Sequence, residues 1–179
     1  HLEHRRQRQM CIRDRSSLLR AMTRAKPKVA DYPFTTINPS LGVVNLGYGE
    51  SYVIADIPGL IEGAADGIGL GIQFLKHLSR TNILLHVVDI QNIQDDNITK
   101  ELSEINYELE KFDEELSKKT QYIIFNKIDL LSSKQLADIK SVIYKEYDKN
   151  NVFFTSTVNN NGIEELQNFI LRELKKLND

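Results

Sequence analysis

Ile54 to Gly71 reads IADIPGLIEGAADGIGLG. The apolar run Tyr52-Val53-Ile54-Ala55 delivers an aspartate, Asp56, and breaks at once into Pro58-Gly59. A glycine-studded stretch follows, and a helix-like segment starts near Gly71. A buried strand that ends in a carboxylate and then in flexible backbone can present a metal-bound phosphate to a loop that moves. The rest of the chain must then supply a phosphate cradle, a metal ligand and a base pocket.

Working outward, Leu41 to Leu46 and Ser51 to Ile57 are strand-like and are joined by Gly47-Tyr48-Gly49-Glu50, which predicts an antiparallel hairpin. Upstream, Leu18, Leu19 and Met22 recur at helical spacing within Ser16 to Arg24, and Pro27 marks a stop. Ala30 to Pro39 reads as a loop, with Pro33, Thr35-Thr36 and Asn38-Pro39. Downstream, Phe74, Leu75 and Leu78 predict a short helix, and ILLHVV (Ile83 to Val88) is a strand covered on both faces. Ile98, Leu102, Ile105, Leu109, Phe112 and Leu116 step by four and three, an amphipathic helix capped near Asp95 or Asp96. Tyr122 to Phe125 is the next strand, and Leu136, Ile139, Val142 and Ile143 mark the next helix. Val152 to Phe154 is a last strand, and Gly162 precedes a terminal helix over Ile163, Leu166, Phe169, Ile170 and Leu174. Strands alternating with helices predict an α/β layer fold, its sheet mostly parallel with one antiparallel edge.

The 179 residues suit one domain with a sizeable core, and an apolar content of 41% against 27% charged is that of a soluble globular protein. No apolar run approaches the ~18 residues of a membrane span, and the basic N-terminus lacks the apolar centre of a signal peptide. A single cysteine, Cys11, excludes an internal disulfide and suits a reducing cytosol. The net charge of −2 hides an asymmetry: residues 1–28 hold nine of the 23 Lys and Arg but two of the 25 Asp and Glu. Such an arm can contact nucleic acid. Residues 1–15, HLEHRRQRQMCIRDR, nevertheless show no apolar periodicity, and an unstructured or foreign tail is the preferred reading.

In parallel sheets ligands bind beyond the carboxyl ends of the strands. Polar residues stand at four such ends: Asp56, Asp89, Asn126-Lys127-Ile128-Asp129, and Ser156-Thr157-Val158. The carboxylate of Asp129 can accept two parallel hydrogen bonds from guanine N1–H and its exocyclic amine, a donor pair that adenine lacks. The Lys127 stem can lie over a purine face, and Asn126 can tie neighbouring loops together. Backbone N–H groups of Ser156 to Val158 can reach the guanine oxygen. Asp56-Ile57-Pro58-Gly59 fits a carboxylate that holds magnesium through water, with the Gly59 N–H free for a terminal phosphate. One hydroxyl of Thr35-Thr36 can complete that metal shell. The plain alternatives are a turn at Asp-Ile-Pro-Gly, solvated threonines and a chance NKxD after a strand. Gly67-Ile68-Gly69-Leu70-Gly71 has the wrong spacing for G-x-G-x-x-G and does not directly follow a strand, which argues against a dinucleotide-dependent oxidoreductase. His77 and His86 have no metal-spaced partner.

AKPKVADYPFTT (Ala25 to Thr36), DIPGLIEGAADGIGLG (Asp56 to Gly71), FLKHLSRTNILLHVVD (Phe74 to Asp89) and NKID (Asn126 to Asp129) together resemble the Obg-type GTPases, within the P-loop GTPases. The resemblance runs from about Ser16 to the C-terminus and implies their three-layer fold over 16–179. It implies a GTP/GDP site from Phe34, Thr35, Thr36, Ile37 and Asn38 (switch I), Asp56, Ile57, Pro58 and Gly59 (switch II), Asn126, Lys127, Ile128 and Asp129, and Ser156, Thr157 and Val158. Magnesium would be held by Ser16, Thr36 and, through water, Asp56. It further implies a monomer in the bacterial cytoplasm that assembles the large ribosomal subunit in contact with its rRNA, with no membrane. Thr157 stands where alanine is usual. Leu60 stands where Ras-like enzymes carry a water-orienting glutamine, so intrinsic hydrolysis should be slow; no catalytic residue can be named.

One departure is large. The family has a first strand and G-x-x-x-x-G-K-S before Leu18-Leu19, where this chain reads Met10-Cys11-Ile12-Arg13-Asp14-Arg15-Ser16. Without glycines, backbone N–H groups cannot wrap phosphates, and Asp14 would repel them. The run MCIRDR resembles a translated sequencing adapter. The expectation is that residues 1–15 replace the first strand and phosphate loop, and that the chain binds GTP weakly or not at all. The alternative is a nucleotide-free interaction module that borrows the fold.

Overall fold

A computed structural model describes residues 16–23, 28–29, 40–56, 81–92, 103, 107, 110, 114 and 118–178. The expected loop over 30–39, the glycine-rich stretch, the helix near Phe74 and residues 1–15 lie outside these.

The hairpin forms as its sequence requires. β2 (Ser40–Gly47) pairs antiparallel with β3 (Glu50–Asp56), and Val43 faces Val53. Tyr48 (φ 53°) and Gly49 (φ 80°) carry the reversal, the two left-handed positions of a type I′ turn. The register slips between Asn45 and Gly47, where Asn45 Oδ1 accepts the Gly47 N–H at 2.9 Å. A two-residue strand, β1 (Lys28–Val29), pairs with the other edge of β2. It is too short to leave a periodicity in the sequence.

The second sheet is parallel. β4 (Ile83–Asp89), β5 (Thr120–Asn126) and β6 (Val152–Phe154) stand in that order with β5 in the middle. The described strands therefore make two three-stranded sheets, one antiparallel and one parallel, and no described strand joins β3 to β4. The central strand explains the continuous apolar run, since both faces of β5 are covered. Ile123 and Phe125 point into a cluster with Val88, Val152 and Ile143, the last on helix α2 (Ser133–Glu146). Ile124 points the opposite way, into a cluster shared by helix α1 (residues 16–23), β2 and helix α3 (Ile163–Asn178). That second cluster holds Leu18, Met22, Val44, Leu166 and Ile170, with Tyr52 and Ile54 of β3 and Leu85 and Val87 of β4 packed against it. One apolar layer thus joins the two sheets from beneath α1 and α3.

Helix starts follow local chemistry. Ser132 caps α2 and exchanges hydrogen bonds with Gln135 in a capping box. The expected helix over 98–116 is described only at Ser103, Tyr107, Glu110 and Glu114, each helical and exposed. Those positions fall between the apolar ones, on the face a core-packed helix turns to water. Among the described residues no helix is long and apolar enough to cross a membrane.

His86 sits within β4 with its Nε2 2.8 Å from Gln121 Oε1. Burial pushes its pKa below the ordinary imidazole value of 6.5, and the Gln121 hydrogen bond opposes this more weakly. The unfolded chain therefore binds a proton that the folded chain resists. Folding stability is fully present above pH about 6.5 and is lost as pH falls towards the lowered folded value. Urea midpoints should drop between pH 7 and pH 5.5 in the parent and drop less in His86→Gln. Equal slopes in the two proteins would reject the assignment.

Candidate functional site

Parallel pairing sets the polar strand tips side by side. Asp89 is the register partner of Asn126, and Phe125 that of Phe154, which brings Thr155 next to Asn126. The Thr155 N–H donates to the Phe125 carbonyl at 2.8 Å, and the Ile128 N–H donates back to the Thr155 carbonyl at 3.2 Å. The tips of β5 and β6 are clasped from both sides.

Asn126 is fully buried. Its Oδ1 accepts from the Thr155 hydroxyl at 3.2 Å, and its Nδ2 is the one buried side-chain polar atom among the described residues without a partner. A buried donor left unsatisfied costs about 1–3 kcal/mol, so such a group invites a ligand or a neighbouring carbonyl. Lys127 follows in the left-handed region at φ 71°, a conformation that costs a non-glycine residue about 1–2 kcal/mol. This twist ends β5 and starts a short 3₁₀ turn, Ile128–Leu130, with Ile128 buried beneath.

The Asp129 carboxylate accepts from the Ser156 hydroxyl. Ser156 is itself fully buried, and its oxygen lies 3.3 Å from the Val158 N–H. This leaves Asp129 held from one side with further lone pairs open. Thr157 is half-buried at the start of the following turn, and Val158 is exposed at 79%. The Lys127 ammonium lies 2.6 Å from Asp89 Oδ2.

At the tip of β3, the Ser16 hydroxyl donates to Asp56 Oδ2 at 2.5 Å, across 40 residues of chain. A hydroxyl and a carboxylate at one point are hard oxygen donors, the set that magnesium takes together with water. Among the described residues no three His, Cys, Asp or Glu side chains converge as a metal cluster. Phe34, Thr35, Thr36, Ile37, Asn38, Ile57, Pro58, Gly59, Leu60 and His77 lie outside the described residues.

The structure thus brings together Asn126, Lys127, Asp129 and Ser156 on adjoining tips, and separately Ser16 with Asp56. Sequence reading missed Thr155 as a partner of Asn126 and left Asp89 as a bare strand end. Neither has a motif of its own; only the register of β4, β5 and β6 reveals them.

Residues 15–127 match the model of a family described as 50S ribosome-binding GTPase. The fold is similar to that of Aquifex aeolicus Era, crystallised as a variant bound to GDP and AlF4− (TM-score 0.61, 21% identity, covering 88% of this chain and 52% of Era). It is similar to the cytosolic domain of the T. maritima FeoB iron transporter in its GMPPNP form (TM-score 0.59, 24% identity, 88% and 58% covered). It is also similar to a putative nucleolar GTP-binding protein 1 from Plasmodium falciparum (TM-score 0.57, 25% identity, 92% and 81% covered). The chain spans little more than half the length of the first two.

Proposed function

Since the chain belongs to the 50S ribosome-binding GTPase family, we infer that it is the guanine-nucleotide-binding and GTP-hydrolysing domain of an Obg-like protein acting in large ribosomal subunit assembly. The observation that carries the nucleotide reading is the buried, unpartnered Asn126 amide beside a carboxylate held open by Ser156. The first offers an unused donor and the second unused lone pairs, which a nucleotide can take up. Obg character rests on DIPGLIEGAADGIGLG (Asp56 to Gly71), which Ras-like enzymes do not share. The family match favours this reading over an interaction module that borrows the fold.

In this reading Asp129 takes the two donors of the guanine edge, and Ser156 fixes its carboxylate. Backbone N–H groups of Ser156, Thr157 and Val158 serve the base oxygen. Lys127 covers a face of the base, Ile128 packs the turn from below, and Asn126 bridges to the phosphate side. Phe34 to Asn38 and Asp56 to Gly59 act as the two nucleotide-sensing loops. Magnesium would be held by Ser16, Thr36 and, through water, Asp56, and when bound it offsets charge on the phosphates. The Ser16–Asp56 hydrogen bond keeps those oxygens together beforehand. With Leu60 in place of a water-orienting glutamine, turnover is slow until a partner supplies the missing group. The protein works as a cytoplasmic monomer against rRNA of the large subunit.

Residues 1–15 limit the chain. Replacing residues 9–15 with a G-x-x-x-x-G-K loop and titrating a fluorescent GTP analogue with magnesium tests the whole reading. The unaltered chain should not saturate at micromolar analogue, and the restored one should. Micromolar binding by the unaltered chain would show that its first residues do not control affinity. Absence of binding after restoration rejects the nucleotide assignment.

A further inference from the structure

We propose that Asp89 is a positioning residue for the base site, acting through Lys127; the proposal rests on the nucleotide reading above. The Asp89 side chain is 1% exposed. A buried carboxylate needs a counter-charge and its remaining lone pairs filled. Asp89 has both: Oδ1 accepts the Gln91 N–H at 3.0 Å at the start of the 3₁₀ turn Ile90–Asn92, and Oδ2 accepts from Lys127 Nζ at 2.6 Å. The first bond sets the orientation of the carboxylate. The second ties down the end of a side chain whose backbone is already twisted to φ 71°.

The consequence for Lys127 is geometric. An ammonium fixed at the tip of β4 cannot sweep through solvent, and the lysine side chain is only 22% exposed. Its four methylenes then run between the β5 and β4 tips as a wall, with the charge committed to protein. A flexible lysine would lose rotamer freedom on closing over a ligand; one tethered in advance has already lost most of it. Asp89 therefore prearranges the loop Asn126 to Asp129 from a position 37 residues earlier in the chain, without touching the base.

Asp89→Asn tests this, because asparagine retains an oxygen for the Gln91 N–H and replaces the charged acceptor facing Lys127 with an NH₂ donor. Isotope-labelled chain titrated with GDP and magnesium into the millimolar range, followed by amide NMR, reads weak binding directly. Asp89→Asn should weaken binding about tenfold. Lys127→Met should weaken it too, and adding Asp89→Asn to Lys127→Met should cost nothing more. Affinity unchanged within twofold, or losses that add in full, would overturn the proposal. If GDP shifts no resonance of the unaltered chain, the nucleotide reading fails for this chain, and amide exchange without ligand decides the positioning claim. Asp89→Asn should then raise exchange at Ile128 and Leu130 about tenfold and leave Leu166 unaffected. Unchanged exchange at Ile128 and Leu130 would overturn it.

Discussion

Asp129→Asn, made in a chain carrying G-x-x-x-x-G-K ahead of Ser16, is expected to exchange a guanine preference for a xanthine preference. The ratio of the two affinities should move by about three orders of magnitude. A carboxylate accepts both N1–H and the exocyclic amine of guanine, each a charge-assisted hydrogen bond of roughly 1.5–3 kcal/mol. An asparagine keeps one acceptor but presents an NH₂ to the guanine amine, donor against donor. Xanthine carries an oxygen there and restores the pair. Two altered contacts give about 4 kcal/mol, hence the size of the switch. Ser156 matters to the result, because its hydroxyl holds the oxygen of residue 129 in place and fixes which way an amide must turn. Competition of GDP and xanthosine diphosphate for a fluorescent analogue measures the ratio. A ratio unchanged by the substitution would remove Asp129 from the base site.

Gly162→Ala should cost about 3 kcal/mol of folding stability. Gly162 lies at φ +73°, where a side chain costs about 1–2 kcal/mol, and a Cβ there would land inside the carbonyl oxygen of Phe154. Backbone cannot rotate away as a side chain can, so overpacking adds about 1–3 kcal/mol. The close approach is where the loop from Thr155 to Asn161 closes: the Ser156 N–H donates to the Asn161 carbonyl at 2.9 Å, and the Leu166 N–H donates to the Gly162 carbonyl at the start of α3. Urea unfolding should show a lowered midpoint with an unchanged slope. Gly162→Asn separates the causes, since asparagine tolerates the left-handed angle yet still brings a Cβ. It should recover only part of the loss. Full recovery would mean that the Phe154 carbonyl is not the obstacle.

Much of this fold is legible in the residues because burial imposes periods. Ile123 and Phe125 alternate with Tyr122 and Ile124, and the two sets enter opposite cores. Leu18, Leu19 and Met22 are all buried on one short helix. NKID stands where a strand ends, so its place at a sheet tip was readable as well. The two-residue β1 was not, for a bridge of that length has no period.

What the sequence by itself determined is the order of the elements and the types of group at each strand tip. Carboxylates, an amide, a lysine and hydroxyls stand there because apolar runs stop at them. What only the tertiary structure decided is which of these groups meet. Ser16 reaches Asp56, Lys127 reaches Asp89, and Ser156 reaches Asp129, over separations of 40, 38 and 27 residues. Local propensity has no reach over such distances. In the parallel sheet a one-residue slip of β5 against β4 or β6 would turn every tip side chain to the opposite face. The register that prevents it is set by the cores on both sides of β5, and through them by residues far from the site.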